Sequence, residues 1–340
     1  MPWLRNRWYQ AGWSDELGPD RPLVRTILDA PILFYRSESG VAALLDRCPH
    51  RFAPLSAGRI DGGRVTCGYH GLAFGADGAC VHNPHGAITS RMQVRSFPVV
   101  ERHTALWIWM GAPEQADPAL IPDLAFIDAT PASARIAGHM PTAADYRLIT
   151  DNIMDLSHAD YLHPTTLGGI MTGSQARSRE EGQRVVAEWV SLNVDPIPVA
   201  ATTMPPGTKV DSWTQVVWSA PAVMVLSTAT TPVGVPRVAE DEAITLHNMV
   251  PETARTTHYF YCSTRRFLVE DAAFSGYIRE ALSRAFVEED KPMIEAQQRR
   301  LGEAELWDLD PILLPTDAAA VRVRRLLDRL IAEERPRGEA

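Results

Sequence analysis

The chain has few cysteines, no excess of basic residues and no long apolar run. Its 340 residues include four cysteines, of which Cys80 and Cys262 are predicted to be buried apolar residues rather than disulfide partners. The net charge of −9 argues against sequence-independent nucleic-acid binding, which needs a basic surface. No apolar run reaches the roughly eighteen residues of a membrane span, and the first residues lack the apolar region of a signal peptide. We therefore expect a cytoplasmic protein with no nucleic-acid or membrane partner.

Two short segments each carry one cysteine and one histidine. Cys48-Pro-His50 precedes Cys67-Gly-Tyr-His70, and sixteen residues separate His50 from Cys67. Two thiolates for one iron and two imidazoles for the other suit a [2Fe–2S] cluster with unlike irons. The alternative is a structural zinc site, although zinc sites usually place two cysteines in one segment and two histidines in the other. The pattern favours the cluster.

A second polar group lies in a segment whose spacing predicts a helix over 144–162. Asn152, Asp155 and His158 step by three residues, so they occupy neighbouring positions on a helix. His163 follows five residues after His158, and a regular helix would turn it away by about 140°. The proline after His163 disfavours helical backbone there, so the helix can end and bring His163 back. A π-bulge would have the same effect.

A carboxylate on a predicted helix over 271–301 can complete a 2-His-1-carboxylate site for non-haem Fe(II). Asp290 lies on a stripe that otherwise carries apolar residues such as Phe286 and Ile294. A buried carboxylate must be paired or bind a metal. Pro292 also disturbs the helix close to Asp290. The alternatives are a buried ion pair at Asp290 and two hydrogen-bonded core histidines.

The remaining pattern predicts two domains. Short apolar runs with Gly, Pro and Asp turns extend to about residue 112 and predict an all-β domain. A linker rich in proline and acidic residues follows, and we place the boundary near 115. Beyond it, predicted strands at 185–190, 214–226, 243–250 and 257–262 lie between the first helix and the helices over 271–301 and 317–334. This order predicts an α+β fold in which an antiparallel sheet covers a long helix.

Together these motifs resemble the Rieske non-haem iron oxygenases over nearly the whole chain. The matching segments are CPHR at 48–51, APLSAG at 53–58, CGYHG at 67–71, N-x2-D-x2-H-x4-H at 152–163 and EDKP at 289–292. Within the family, the chain is most similar to the vanillate and dicamba O-demethylase group. The resemblance implies a Rieske domain at 1–115 and a helix-grip-type catalytic domain at 116–340.

The resemblance also assigns roles to the motif residues. It implies that the cluster ligands are Cys48, His50, Cys67 and His70, and that the mononuclear iron ligands are His158, His163 and Asp290. Asn152 matches a position near the iron. Asp155 would link His70 of a neighbouring subunit to His158 or His163 in a head-to-tail homotrimer.

The implied activity is that of a terminal oxygenase. It would use O2 and NAD(P)H electrons delivered by a separate reductase with a flavin and a ferredoxin-type cluster. The chain has no G-x-G-x-x-G segment after a strand and no further cysteine set for collecting those electrons itself. The expected reaction is O-demethylation of a vanillate-like methoxylated aromatic acid to a phenol and formaldehyde. Alternatives are methyl-group hydroxylation, N-demethylation, ring dihydroxylation, a Rieske-type electron carrier and a zinc-stabilised binding module.

Substrate contacts are expected on the third of the predicted strands, where residues 243, 245, 247 and 249 share one face. By resemblance, His247 matches a substrate-contacting position of the dicamba O-demethylases and can hydrogen-bond an anionic or phenolic substrate. The alternative is a surface histidine. Ser219 and Ala281 stand where that group carries an amide and a large aromatic residue. These two departures argue against dicamba itself as the substrate.

Overall fold

The computed structural model describes residues 3–334, which form two compact units divided between Asp123 and Leu124. Glu252–Ala254 also belongs to the first unit. The segment around the predicted boundary at 115 is part of the first unit. The indole Nε1 of Trp8 donates to the carbonyl of Asp117 at 2.8 Å, which ties this segment to the first strand.

The first unit is all-β in its regular elements, as predicted. From residue 3 onward it has ten strands: β1 (Trp8–Trp13), β2 (Leu23–Ile27), β3 (Ala30–Ser37), β4 (Gly40–Leu45), β5 (Arg59–Asp61), β6 (Arg64–Thr66), β7 (Ala73–Phe74), β8 (Cys80–His82), β9 (Val99–Arg102) and β10 (Ala105–Trp109). They form three antiparallel sheets with the orders β1-β10-β9, β2-β3-β4 and β5-β6-β7-β8. The core between them includes Leu33, Leu44 and Phe74, which are fully buried. Cys48 and Cys67 belong to this core, so it holds both Cys/His segments in place.

The second unit is built on one seven-stranded antiparallel sheet. In chain order its strands are β11 (Arg135–Thr142), β12 (Gln175–Glu181), β13 (Arg184–Val194), β14 (Val210–Ser219), β15 (Val223–Pro232), β16 (Ala243–Pro251) and β17 (Thr257–Arg265). In space the order is β11-β17-β16-β15-β14-β13-β12. The single strand predicted over 214–226 is wrong, because Pro221 lies in the turn of the β14–β15 hairpin and cannot donate to a ladder. β12 was missed because it is an edge strand with an almost wholly exposed sequence and no apolar alternation.

Seven α-helices accompany this sheet in the described part of the unit. They are α1 (Ala125–Ala129), α2 (Tyr146–Met154), α3 (Ala159–Leu162), α4 (Pro198–Ala201), α5 (Ala272–Ser283), α6 (Lys291–Leu301) and α7 (Ala318–Glu334). A π-helix, Arg284–Asp290, joins α5 to α6. The ring of Phe286 in this π-helix lies 5.4–6.2 Å from the rings of Tyr261, His247 and Tyr259 on β16 and β17. The helical run therefore packs on the sheet, which confirms the α+β class.

The continuous helix predicted over 144–162 is interrupted at Asp155. The backbone of Asp155 is extended (φ −130°, ψ 92°), and a 3₁₀ turn, Leu156–His158, leads into α3. The Asp155 carboxylate accepts the Ser157 N–H at 3.0 Å, an alternative to helical hydrogen bonding that aspartate offers to nearby backbone. In residues 3–334 we find no helix with the length and apolar character needed to cross a membrane.

Candidate metal centres and substrate cavity

The two Cys/His segments form turns with the same backbone hydrogen bonds. In both, the cysteine N–H donates at 2.8 Å to the carbonyl five residues later. The N–H four residues later donates back to the cysteine carbonyl, at 2.9 Å from Phe52 and at 3.0 Å from Gly71. Both returning residues have positive φ, 61° at Phe52 and 75° at Gly71. Two equivalent turns therefore present one cysteine and one histidine each.

The side chains of these turns form a donor set for a cluster. Cys48 and Cys67 are each 2% exposed, and the rings of His50 and His70 lie with centroids 4.5 Å apart. Burial raises the pKa of the Cys48 thiol, and the Cys67 thiol is its hydrogen-bond neighbour. Paired buried thiols beside paired imidazoles fit a [2Fe–2S] centre with unlike irons. His85, exposed and outside this set, contacts the His70 carbonyl through Nε2 at 2.9 Å.

In the second unit, His158, His163 and Asp290 bring their ligand atoms within 4.8 Å of one another. Asp290 Oδ1 lies 3.1 Å from Nε2 of His163 and 3.5 Å from Nε2 of His158. Ligands about 2.1 Å from a divalent metal and at right angles to each other are about 3 Å apart. The spacing therefore fits one metal ion bound on one face by two histidines and a carboxylate.

Local backbone geometry produces this convergence. His163 ends α3 with φ −117° and ψ 41°, which confirms the helix end predicted from the following proline. The π-helical backbone that was the alternative for the His163 segment is found in the long helix between α5 and α6, and Asp290 is its last residue. The Lys291 N–H donates to the Phe286 carbonyl, five residues earlier. The wider π-helical turns therefore extend as far as the metal ligand Asp290.

Glu289 is a site residue that the sequence did not predict. Its Oε2 accepts Nδ1–H of His163 at 2.7 Å, which leaves Nε2 as the atom available to a metal. Its Oε1 accepts Nε–H of Arg284 at 3.1 Å. In an α-helix, adjacent residues point about 100° apart, so periodicity does not place Glu289 and Asp290 at one site. The sequence signal that could have identified Glu289 was the pair of adjacent acidic residues in EDKP.

Glu289→Gln is expected to lower Fe(II) affinity about 10- to 100-fold, because an amide is a weaker acceptor for the His163 N–H than a carboxylate. Iron retention after dialysis against a graded chelator measures the change. Glu288 is exposed on the same π-helix, so Glu288→Gln is the matched control and should retain iron like the parent protein. Equal retention in both variants would show that Glu289 does not support the metal.

Asn152 and Asp155 also contact the triad. Asn152 Nδ2 donates to Asp290 Oδ1 at 3.2 Å and thereby holds the carboxylate. Within one chain, the contact of Asp155 with His158 is made by its backbone. Nδ1–H of His158 donates at 2.6 Å to the backbone carbonyl of Asp155. Within one chain, this carbonyl orients His158, and the carboxylate oxygen Oδ1 is used by Ser157 N–H.

A cavity of about 180 Å³ extends from the triad between the helical run and the sheet. Its wall is mainly apolar, with contributions from Leu282 and Phe286. On the face predicted on β16, residues 243, 245 and 247 all line the cavity. Ala281 also lines it, but Ser219 lies outside. Ser219 is five residues from the lining residue Thr214 on β14, so alternation turns it to the opposite face of the sheet.

His247 supplies a neutral hydrogen-bond donor to this cavity. Burial lowers the pKa of His247 to about 4 and raises that of Tyr259, so both are uncharged at pH 7. Tyr259 Oη lies 2.5 Å from His247 Nδ1, and among the described residues it has no other acceptor for its proton. The hydroxyl therefore donates to Nδ1, which leaves the imidazole proton on Nε2. In the described chain, Nε2 has no protein partner.

Comparisons with known proteins agree with this geometry. The Rieske [2Fe-2S] domain family matches residues 7–98, and the Vanillate O-demethylase oxygenase C-terminal domain family matches residues 142–333. The chain is 40% identical to the dicamba O-demethylase oxygenase component of Stenotrophomonas maltophilia, with 97% of this chain and 98% of that protein covered. It is 33% identical to the vanillate O-demethylase oxygenase subunit of Pseudomonas sp. strain HR199, with 99% and 97% covered.

A solved structure is also similar. The crystal structure of dicamba monooxygenase bound to dicamba superposes with a TM-score of 0.89 at 38% identity, covering 98% of this chain and 99% of that one. Both domain families, both donor sets and the fold point to the same assignment. The chain therefore belongs to the Rieske non-haem iron oxygenases, and it is the oxygenase component of such a system, with a [2Fe–2S] cluster and a non-haem iron as cofactors.

Proposed function

We propose that this oxygenase O-demethylates a methoxylated aromatic acid to a phenol and formaldehyde. The observation that carries the proposal is the mainly apolar cavity at the triad, with the neutral His247 Nε2–H as a donor at its wall. Such a cavity suits an aromatic ring whose polar substituent accepts one hydrogen bond. Dicamba and vanillate O-demethylases are among the relatives, which supports removal of an O-methyl group.

The donor sets described above carry the proposed cofactor sites. We assign Cys48, His50, Cys67 and His70 to the cluster, and His158, His163 and Asp290 to the mononuclear iron. When bound, these groups supply electron transfer and activation of O2.

The protein supplies orientation at this site. Glu289 and the Asp155 carbonyl fix the two imidazoles, and Asn152 fixes Asp290. The apolar wall excludes water and holds the methoxy carbon beside the triad, while His247 orients the ring.

The overall reaction balances with one O2, one NAD(P)H and one proton. The methoxy carbon is hydroxylated, and the second oxygen atom leaves as water. In the resulting hemiacetal, Ar–O–CH2OH, the bond between the aryl oxygen and the CH2 carbon breaks and the hydroxyl proton passes to the aryl oxygen, which gives the phenol and formaldehyde. The NAD(P)H electrons must come from another protein, and we propose a reductase with a flavin and a ferredoxin-type cluster.

A substrate screen tests this function. The reconstituted oxygenase and a reductase of this type are supplied with methoxylated aromatic acids, their methyl-substituted analogues and ring-unsubstituted analogues. We expect formaldehyde and the matching phenol in equal amounts from the methoxylated acids only. A benzylic alcohol or a ring diol from another substrate, with no formaldehyde from any methoxyarene, would replace O-demethylation by methyl hydroxylation or dihydroxylation.

We also propose a homotrimer in which Asp155 faces His70 of the next subunit. In the described chain, the Asp155 carboxylate uses only Oδ1, for Ser157 N–H, so Oδ2 has no partner of its own. In a head-to-tail ring, different surfaces of neighbouring chains meet, so a group with no partner in its own chain can bind the next chain. Sedimentation analysis should give the mass of three chains, and a fully active monomer would contradict the arrangement.

A further inference from the structure

A second cavity, of about 130 Å³, adjoins the one at the triad. We call the first the inner cavity and the second the outer cavity. Six residues line both: Ile197, Val199, Thr228, Ala243, Ser263 and Ile278. On the sheet side, this shared border consists of the small side chains of Thr228, Ala243 and Ser263. A ligand in the inner cavity can therefore extend into the outer one between small side chains.

The two cavities differ in charge. Among the described residues, no lysine or arginine lines the inner cavity, and His247 there is neutral, so none of them supplies a cation to balance an aromatic carboxylate. A buried carboxylate without a partner is costly. The outer cavity is lined by Arg265, which is only 5% exposed. The cation that an aromatic acid needs is therefore in the outer cavity.

Among the described residues, Arg265 has no ion-pair partner, although the charge of Asp271 acts on it from a longer distance. Its Nη2 donates to the Leu268 carbonyl at 3.0 Å and to Ser275 Oγ at 2.5 Å. Among residues 3–334, neither Nε nor Nη1 of Arg265 has a hydrogen-bond partner, and no carboxylate lies within 4.0 Å of its nitrogens. The Phe274 ring, 5.3 Å from the guanidinium carbon, holds the group in place.

Asp271 and Asp241 each accept a backbone N–H, and neither forms an ion pair with Arg265. Asp271 caps α5, and its Oδ1 accepts the Phe274 N–H at 2.9 Å. Asp241, which also lines the outer cavity, accepts the Val238 N–H at 3.2 Å. Burial lowers the pKa of Arg265, but an arginine remains charged at any pH near 7. A positive group with unpaired N–H donors is thus left at the wall of the outer cavity.

The strand register gives the length that a ligand needs to reach from His247 to Arg265. β16 and β17 pair His247 with Tyr261 and Ala243 with Arg265. The backbone of Arg265 is therefore four residues along the sheet from His247, or about 14 Å at about 3.4 Å per residue. A carboxylate attached directly to a ring beside His247 is too close to that ring to cover this span. A carboxylate on a short side chain extends in the required direction.

We propose that the outer cavity is the subsite for the substrate carboxylate and that Arg265 binds it. The preferred substrates are then methoxylated aryl acids whose carboxylate lies two or three carbons from the ring, as in arylpropenoates. This inference rests on the proposed O-demethylation and adds the position of the acid group. Arg265 acts in specificity, away from the reacting methyl group.

The test compares a methoxylated arylpropenoate with its primary amide, using the holoenzyme and its reductase. In the parent protein, kcat/KM should favour the acid by about 30-fold or more, as expected for a buried charged pair. Arg265→Gln should abolish this preference by raising KM for the acid about 30-fold, with less than about threefold change for the amide. Arg265→Lys should restore part of the preference. Arg266→Gln, at the exposed neighbouring position, is the matched control and should behave like the parent.

Equal losses for acid and amide in Arg265→Gln would assign Arg265 a structural role and overturn the proposal. The absence of any preference for the acid in the parent protein would overturn it as well, with no variant needed. Failure of the proposed function has a different signature, in which neither compound releases formaldehyde. In that case, equilibrium dialysis measures the affinity of the parent protein and of Arg265→Gln for the acid. Equal affinities would exclude Arg265 as the carboxylate subsite.

Discussion

Asp290→Ala is expected to remove the mononuclear iron and abolish turnover, while the visible spectrum of the [2Fe–2S] cluster is retained. Asp290 is the carboxylate nearest to both His Nε2 atoms, and it is 4% exposed, so no other described carboxylate occupies its place. The loss should exceed the about 10- to 100-fold effects of residues that only orient a ligand. Iron analysis, the visible spectrum and formaldehyde release from the same preparation measure the three quantities.

Further variants test whether the effect is specific to the three metal ligands. Glu288→Ala removes an exposed carboxylate from the same π-helix and should keep both metals and full activity. His158→Ala and His163→Ala should reproduce the Asp290→Ala result, because each removes one ligand from the same set of three. If Asp290→Ala kept full activity, the carboxylate ligand would have to be another acid, and Asp160 and Asp151 would be the next candidates to test.

Cys48→Ser or Cys67→Ser is expected to abolish the cluster and, with it, the red-brown colour and all reductase-dependent turnover. A hydroxyl is a poor replacement for a thiolate at iron, and both sulfurs are buried in a core that excludes substitute ligands from solvent. Because the mononuclear site lies in the other unit and has its own ligands, these variants should still bind one iron per chain.

Cys80→Ser is the matched control for the cluster variants. Cys80 is also buried in the first unit, but its Sγ donates to the His82 carbonyl at 3.3 Å, and a serine hydroxyl can make the same bond. This variant should keep the absorption spectrum of the cluster. Loss of the spectrum in Cys80→Ser but not in Cys48→Ser would mean that the ligand assignment is wrong. A colourless native protein that contains zinc when prepared anaerobically would contradict the cluster itself.

The metal ligands were predictable because their side-chain chemistry is unusual and their spacing is local. One cysteine and one histidine in each of two turns specify a cluster with few alternatives. The orienting groups were less accessible to sequence reasoning. The Asp155 carbonyl holds His158 only because the helix breaks at Asp155, and the sequence-based helix ran through that residue. A contact made by backbone at a helix break has no side-chain signature.

Two errors in the predicted strands have different causes. A strand with a weak apolar pattern is missed, and two strands with a continuous apolar pattern are merged. β14 and β15 were merged because apolar residues continue across the turn, and only Pro221 marks it. β12 has almost no buried residue, so its place comes from pairing with β13 rather than from its own pattern. Ser219 was assigned to the substrate pocket by position alone, whereas one residue of register decides which face of β14 it occupies.

The π-helix also restricts how the chain can change in length. Removing one residue between 284 and 289 would let the segment return to ordinary α-helical hydrogen bonding without breaking the helix. Everything before the deletion would then be rotated by about 100° relative to Asp290. Phe286 would lose its place against β16 and β17 while Asp290 kept its own. Exposed positions such as Val287 can therefore accept many side chains, but the number of residues in this segment cannot change without separating the cavity wall from the metal site.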